Sequence, residues 1–211
     1  MFHSGLVFKA VALPYELVTR HPVWERHCAQ MATHLPAGAR RVLDLGCGPG
    51  NSTTHLRAAT GAGTVGADYA FPMLQRARRR DRALPLVCAD GGHLPVRSGS
   101  LDAVMFHSVL YLLPDQPAAL REVARALRPG GRAVLLEPQA GSRATMVGLM
   151  RALPTPRWAL TAALWRTMSA LYGRPSRESL RAALTAAGLR VLEIEETLGG
   201  LGLLAVAERP R

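Results

Sequence analysis

The sequence predicts one α/β domain: a doubly wound, seven-stranded sheet, mostly parallel with its last strand antiparallel, and helices on both faces. Three observations predict it. From residue 41 onward, short apolar runs of strand length alternate with helical stretches, which is the rhythm of βαβ units. Two late strands are joined closely through Gly199-Gly200 and should therefore pair antiparallel. A length of 211 residues, 48% of them apolar, suits a single domain with a real core.

The elements follow in order. Arg41 to Leu45 is the first strand; Gly46 to Gly50 is a loop; Asn51 starts a helix to about Thr60, with Asn51 and Ser52 both suited to cap it. Thr64 to Ala67 is the second strand, ending at Asp68, and Phe71 to Arg80 is a helix with Pro72 in its first turn. Leu86 to Ala89, ending at Asp90, and Leu101 to Phe106 are the third and fourth strands. Pro117 to Leu127 is a helix, Arg128-Pro129-Gly130-Gly131 a stop and turn, and Arg132 to Glu137 the fifth strand. The rhythm then breaks for two helical stretches, Ser142 to Leu153 and Arg157 to Leu171, separated by Pro154 and Pro156. A last helix from Ser176 ends at Gly188, and Leu189 to Glu195 and Leu201 to Ala207 close the sheet. Residues 10 to 35 are helical in part, with Tyr15, Trp24 and Met31 at loosely helical spacing. They read equally as a cover for one sheet face and as a lid over whatever the sheet binds.

The formal net charge is +11, and all of the cationic side chains but Lys9 are arginine. Such usage reads first as compositional bias; an anionic substrate, a membrane surface or nucleic acid are the other readings. The densest run, Arg76, Arg78, Arg79, Arg80 and Arg82, closes a helix, where cations favour the dipole. Cys28, Cys47 and Cys88 form no CxxC pair and no metal spacing with histidine, so no metal is expected. An odd cysteine count without a signal-peptide pattern points to a reducing cytoplasm. Cys47 and Cys88 are expected to be buried filler at strand ends. No apolar run reaches the length of a membrane span.

The strongest chemical signal is Val42-Leu43-Asp44-Leu45-Gly46-Cys47-Gly48-Pro49-Gly50. Glycines at alternate positions let the backbone turn sharply where an open α/β sheet binds ligands, beyond the carboxyl ends of its strands. A dinucleotide fingerprint needs its third glycine at position 51, which is Asn51, and Asp44 before the turn would repel a pyrophosphate. An acid there suits a cationic ligand instead.

This stretch resembles motif I of the class I S-adenosylmethionine-dependent methyltransferases, acid-x-Gly-x-Gly-x-Gly, whose fold is Rossmann-like. Gly66-Ala67-Asp68-Tyr69 is similar to the acidic motif that takes the ribose hydroxyls, and Cys88-Ala89-Asp90-Gly91 to the one that reads the adenine. Leu127 to Arg132 resembles the structural turn before the fifth strand. The resemblance is close over residues 41–138 and looser over 176–207. It implies S-adenosylmethionine as cofactor, S-adenosylhomocysteine as product, and cofactor contacts from Asp44, Gly46, Cys47, Gly48, Gly50, Asp68, Tyr69, Asp90, Gly91 and His107. It divides the chain into an N-terminal helical cover or lid (1–40), a cofactor-binding core (41–138), a helical insertion capping the acceptor (139–175) and the last helix with its strand pair (176–211).

The cofactor brings the reactivity, so the protein must mainly position the acceptor and exclude water. Phe106 to Tyr111 follows the fourth strand, where the family lines its pocket. His107 is the best placed general base there, with a histidine touching the cofactor only through its backbone as the other reading. Tyr111, His93 and Tyr15 are weaker candidates. The insertion carries Met146, Met150, Trp158, Leu164, Trp165, Met168, Leu171 and Tyr172, together with Arg143, Arg151, Arg157 and Arg166. That set suits a small, apolar or aromatic methyl acceptor, equally with plain packing of the insertion onto the domain. Pro14-Tyr15-Glu16-Leu17 is similar to a Tyr-Asp-Leu upstream in quinone and lipid methyltransferases. An RNA methyltransferase is the rival reading; the arginine content favours it, and the absence of an RNA-binding module weighs against nucleic acid. A cofactor-binding regulator without catalysis and an aminopropyl transferase are further readings, the latter disfavoured by the lack of paired acids after the fourth strand. A peripheral membrane contact fits the composition. The motifs specify the cofactor; they leave the acceptor and the oligomeric state open.

Overall fold

The computed structural model describes residues 22–141 and 156–211. Seven strands form one sheet in the order β3-β2-β1-β4-β5-β7-β6. In chain order the elements are α1 (Pro22–Thr33), β1 (Arg41–Leu45), α2 (Asn51–Thr60), β2 (Gly63–Asp68), α3 (Phe71–Arg80), β3 (Leu86–Cys88) and β4 (Leu101–His107). They continue with α4 (Gln116–Ala126), β5 (Leu127–Pro138), α5 (Pro156–Tyr172), α6 (Arg177–Ala186), β6 (Arg190–Thr197) and β7 (Gly202–Glu208). Strands β1 to β5 pair parallel, while β7 runs antiparallel between β5 and β6. Strand order reverses between β1 and β4, which opens a crevice at their carboxyl ends.

Side chains alternate across the sheet with the period of two that a strand imposes. On β4, Val104 and Phe106 join the core layer under α4 and α6, with Leu120, Val123, Leu180 and Leu184. Ala103 and Met105 face the opposite layer, built with Trp24, Cys28 and Met31 of α1 and Leu56 of α2. Because both faces of β4 are covered, the strand is apolar along most of its length. The first half of the cover-or-lid segment lies outside the described residues; in α1, Trp24 and Met31 are packed against one face of the sheet.

Four local expectations are corrected. Neither Asn51 nor Ser52 caps α2: Gly50 does, at φ 78°, without a side-chain bond. A Cβ there would sit 2.6 Å from Leu84 Cδ2, so glycine serves both the backbone angle and the packing. β5 begins at Leu127, directly after α4, rather than at Arg132, and the turn expected at Arg128–Gly131 lies inside it, with Gly130 at φ 74°. Leu127 pairs with Leu101 and Arg132 with Ala103, so the intervening residues bulge rather than end the strand. The helix expected from Pro117 begins at Gln116, because the Asp115 carboxylate accepts the Ala118 N–H at 2.8 Å. Cys88 is exposed, because β3 is a three-residue edge strand with its outer side uncovered. The helix expected over Ser142 to Leu153 lies outside the described residues. No helix among the described residues is long and apolar enough to cross a membrane.

Away from the crevice, Asp102 ties the foot of the sheet together. Its carboxylate accepts the backbone N–H groups of Arg40 (2.9 Å) and Arg41 (2.8 Å) and the Arg128 Nε (2.6 Å). Burial alone would raise its pKa; the Arg128 guanidinium and the two amides outweigh it and hold the carboxyl well below its usual range. A depressed carboxyl contributes stability above its unfolded-state pKa and loses it as the pH falls. Asp102→Asn should therefore cost about 2 kcal/mol at neutral pH. The gap from wild type should shrink below about pH 4, which denaturant unfolding at pH 7 and pH 3 checks.

Candidate functional site

The site is built at the carboxyl ends of β1, β2, β3 and β4, from the loop that follows each. β1 delivers Asp44, which has no contact with solvent. Its Oδ2 accepts the hydroxyls of Ser52 (2.7 Å) and Thr53 (2.6 Å) from the first turn of α2. Its Oδ1 is buried with no partner. Burial pushes the carboxyl up to about 6 against the pull of the two hydroxyls, and the nearby Asp68 charge adds to the rise.

Next comes the glycine loop. Gly46 and Gly48 have positive φ, at 74° and 52°. A Cβ on Gly46 would overlap the Val109 side chain, so this glycine lets the loop after β4 close onto the loop after β1. The Gly48 N–H points at β2 and donates to Asp68 Oδ2 at 2.7 Å, while Asp68 Oδ1 accepts the Ala70 N–H at 2.7 Å. Two amides thus hold the Asp68 carboxylate at the lip of the loop, and burial raises its pKa. Cys47 is buried beside both acids, and burial with their charges pushes its thiol up.

Around this centre the structure gathers most of the residues the sequence singled out. Tyr69 projects from the end of β2 with 70% of its surface exposed. Its carbonyl accepts the Cys88 thiol at 3.7 Å, which joins the ends of β2 and β3. Asp90 is exposed and holds a turn, accepting the Gly92 N–H at 3.0 Å and contacting His93 Nδ1 at 3.2 Å. These hydrogen bonds lower its pKa. Gly91 is buried behind it, against Leu113.

His107 ends β4 and turns toward α1 rather than toward solvent. Its ring stacks on Trp24, with centroids 4.3 Å apart and planes at 22°, and Nδ1 lies 3.4 Å from Cys28 Sγ. Its Nε2 is buried without a partner. Burial, helped by His27 and His55, pulls its pKa down to about 3, so the imidazole is neutral at physiological pH. A small cavity separates Trp24 and His107 from Gly46, Cys47 and Pro49. The orphaned Asp44 oxygen and His107 nitrogen lie at this end of the sheet, which suits a ligand bearing a cationic donor and polar groups. His93 is exposed beside Asp90, away from this cavity, and Tyr15 lies outside the described residues.

On the far side of His107 the loop after β4 meets α5. Ser108 is a non-glycine residue at φ 66°, and its Oγ accepts the Trp165 indole N–H at 2.6 Å. The Tyr111 ring meets Tyr172 edge-on, with centroids 6.4 Å apart. Burial pushes the Tyr111 phenol up to about 12. Of the insertion's other candidates, Leu171 is exposed and the Arg166 guanidinium donates to the Gln139 carbonyl at 2.9 Å. Met146, Met150, Arg143 and Arg151, and the side chains of Trp158, Arg157, Leu164 and Met168, are outside the description. Among the described residues no group of three or more metal-ligating side chains converges.

Sequence reasoning did not single out Ser52, Thr53, Trp24, Ser108 or Glu137 as site residues. For Glu137 a signal existed: an acid at the carboxyl end of an apolar strand, the same placement that marks Asp44 and Asp68. For Trp24 and Ser108 the evidence is tertiary contact alone.

A family model described as a methyltransferase domain matches residues 43–135. The demethylmenaquinone methyltransferase of Mycobacterium sp. (strain KMS) is 34% identical over 219 positions, covering 97% of this chain and 93% of its own. The protein of the same name from Thermus thermophilus is 33% identical, covering 97% of this chain and all of its own. Among solved structures, a Haloferax volcanii methyltransferase in complex with the Trm112 methyltransferase activator superposes with a TM-score of 0.74 at 22% identity, over 97% of this chain and 98% of that one. A likeness at one residue in three, kept up along nearly the whole length of both chains, makes this protein a member of the class I S-adenosylmethionine-dependent methyltransferases.

Proposed function

We propose that this enzyme methylates a small aromatic acceptor of the hydroquinone type. The observation that carries the reading is the whole-length similarity to proteins named demethylmenaquinone methyltransferases. A quinone ring is electron-poor and attacks an electrophilic methyl badly, whereas its reduced form is electron-rich, so the acceptor is the hydroquinone. The aromatic group made by Tyr111, Trp165 and Tyr172 favours a flat ring.

When bound, S-adenosylmethionine supplies an electrophilic methyl that passes in line to a nucleophile while its sulfur leaves as the neutral thioether of S-adenosylhomocysteine. The chain's own residues hold and shield the reactants. Asp44, with its unpartnered oxygen, would hold the ammonium; Asp68 would hold the ribose hydroxyls, and Tyr69, Asp90 and Gly91 would serve the adenine. Gly46, Cys47, Gly48 and Gly50 shape the loop around the methionyl part. Neutral His107, pressed under Trp24, forms a dry wall of the cofactor cavity rather than serving as the base. Within the insertion, α5 caps the acceptor side.

Three outcomes are expected. Asp68→Ala should weaken S-adenosylhomocysteine binding at least tenfold by calorimetry, since charged hydrogen bonds of about 1.5–3 kcal/mol are lost. Because a cationic ligand binds ionised Asp44, wild-type affinity should be full above about pH 6 and fall below it. The fall should approach tenfold per pH unit, and Asp44→Asn should bind weakly with a flat profile. With the cofactor present, reduced demethylmenaquinone should yield a methylated product by mass spectrometry. No product beside intact cofactor binding would remove the hydroquinone reading and leave the cofactor site standing.

A further inference from the structure

Glu137 is the next-to-last residue of β5, and its carboxylate is wholly buried and forms no ion pair among the described residues. Its partners are three consecutive backbone amides. Oε1 accepts from Val109 at 3.1 Å and Leu110 at 2.8 Å, and Oε2 accepts from Tyr111 at 3.3 Å. These amides open the 3-10 turn Leu110–Leu112, where the first N–H groups of a helical turn have no partner within the turn. The residue before them is Ser108, held at positive φ with its own N–H on the Leu136 carbonyl at 2.7 Å.

The turn faces two ways. Val109 fills the space left open by Gly46, in the loop at the cofactor side. Ser108 Oγ receives the Trp165 indole, and Tyr111 meets Tyr172, both on the acceptor side. We propose that Glu137 is a positioning residue: by gripping the amides of 109–111 as one piece, it fixes the spacing between the glycine loop and the acceptor face of α5. The acceptor half of this inference rests on the function proposed above.

The residue type supports the role. Burying a carboxylate is costly unless it is well hydrogen-bonded, and an apolar side chain would pack the same space without that cost. Three donors on one group need an acceptor at every contact. An ionised carboxylate has two accepting oxygens, whereas glutamine has one and turns a donor toward the third amide.

The test uses the full chain and separates the grip from the acceptor. In wild type, the amides of Val109, Leu110 and Tyr111 should exchange with deuterium slowly, like those of the strands; exchange as fast as in exposed loops would overturn the proposal before any variant is made. Glu137→Gln, and Glu137→Asp as a shorter carboxylate, should speed exchange in 108–112 while leaving 46–50 near wild type. S-adenosylhomocysteine affinity should stay within about threefold, because the variants spare the cofactor's own contacts. With reduced demethylmenaquinone, kcat/KM should fall about a hundredfold, the cost of a misplacement near 1 Å, with most of the effect on the acceptor step. Equal losses of cofactor affinity and thermal stability in both variants would overturn the proposal in favour of a core role, as would unchanged exchange. If wild type does not turn over the hydroquinone, the acceptor reading fails, and the exchange and cofactor-affinity results alone decide the grip of Glu137.

Discussion

Asp44 gives up all contact with water at the end of β1, and what it receives is two hydroxyl hydrogen bonds from α2, with no cation. That constraint organises the loop between them. Ser52 and Thr53 must stand within reach of the carboxylate, so α2 must begin immediately after Gly50, and five residues must reverse the chain. Positive φ at Gly46, Gly48 and Gly50 makes so short a reversal feasible. One oxygen of the acid remains over, and the polarity left unsatisfied by the fold is what a ligand can use.

The same physics recurs along the sheet. Asp68 is held by amides from the first loop and from its own turn, and Glu137 by amides from the loop after β4. None of these three acids forms an ion pair among the described residues. Neutral donors, mostly backbone, hold each in place, so their loops become fixed parts of the sheet edge. Rigid loops at the ends of central strands give a methyltransferase what it chiefly needs: two reactants held in line, in a place where water is scarce.

How much of this was legible in the chain depends on the range of the interaction. Strand and helix alternation is local, and from β1 onward it located the described strands and helices within a few residues, except that β5 starts at Leu127 rather than Arg132. The glycine loop with Asp44, Asp68 and Asp90 was legible because residue type and strand position coincide there. The bulge in β5 was not, since Gly130-Gly131 reads as a stop until the register with β4 is known. Burial at the sheet edge escaped too: Cys88 has the look of filler, and only its place on the outermost strand exposes it. His107 read as a titratable base from its type, whereas Trp24 and Cys28, far upstream in α1, decide its environment.

The placement of β7 has a consequence for how the chain comes together during synthesis. It is made after β6, yet it lies between β6 and β5 and pairs with both. Strands β1 to β5 can assemble as they emerge, but β6 has no sheet neighbour until β7 inserts, and until then the outer edge of β5 stays open. Until β7 is in place, the outer edge of β5 is an open strand edge of the kind that recruits strands between molecules.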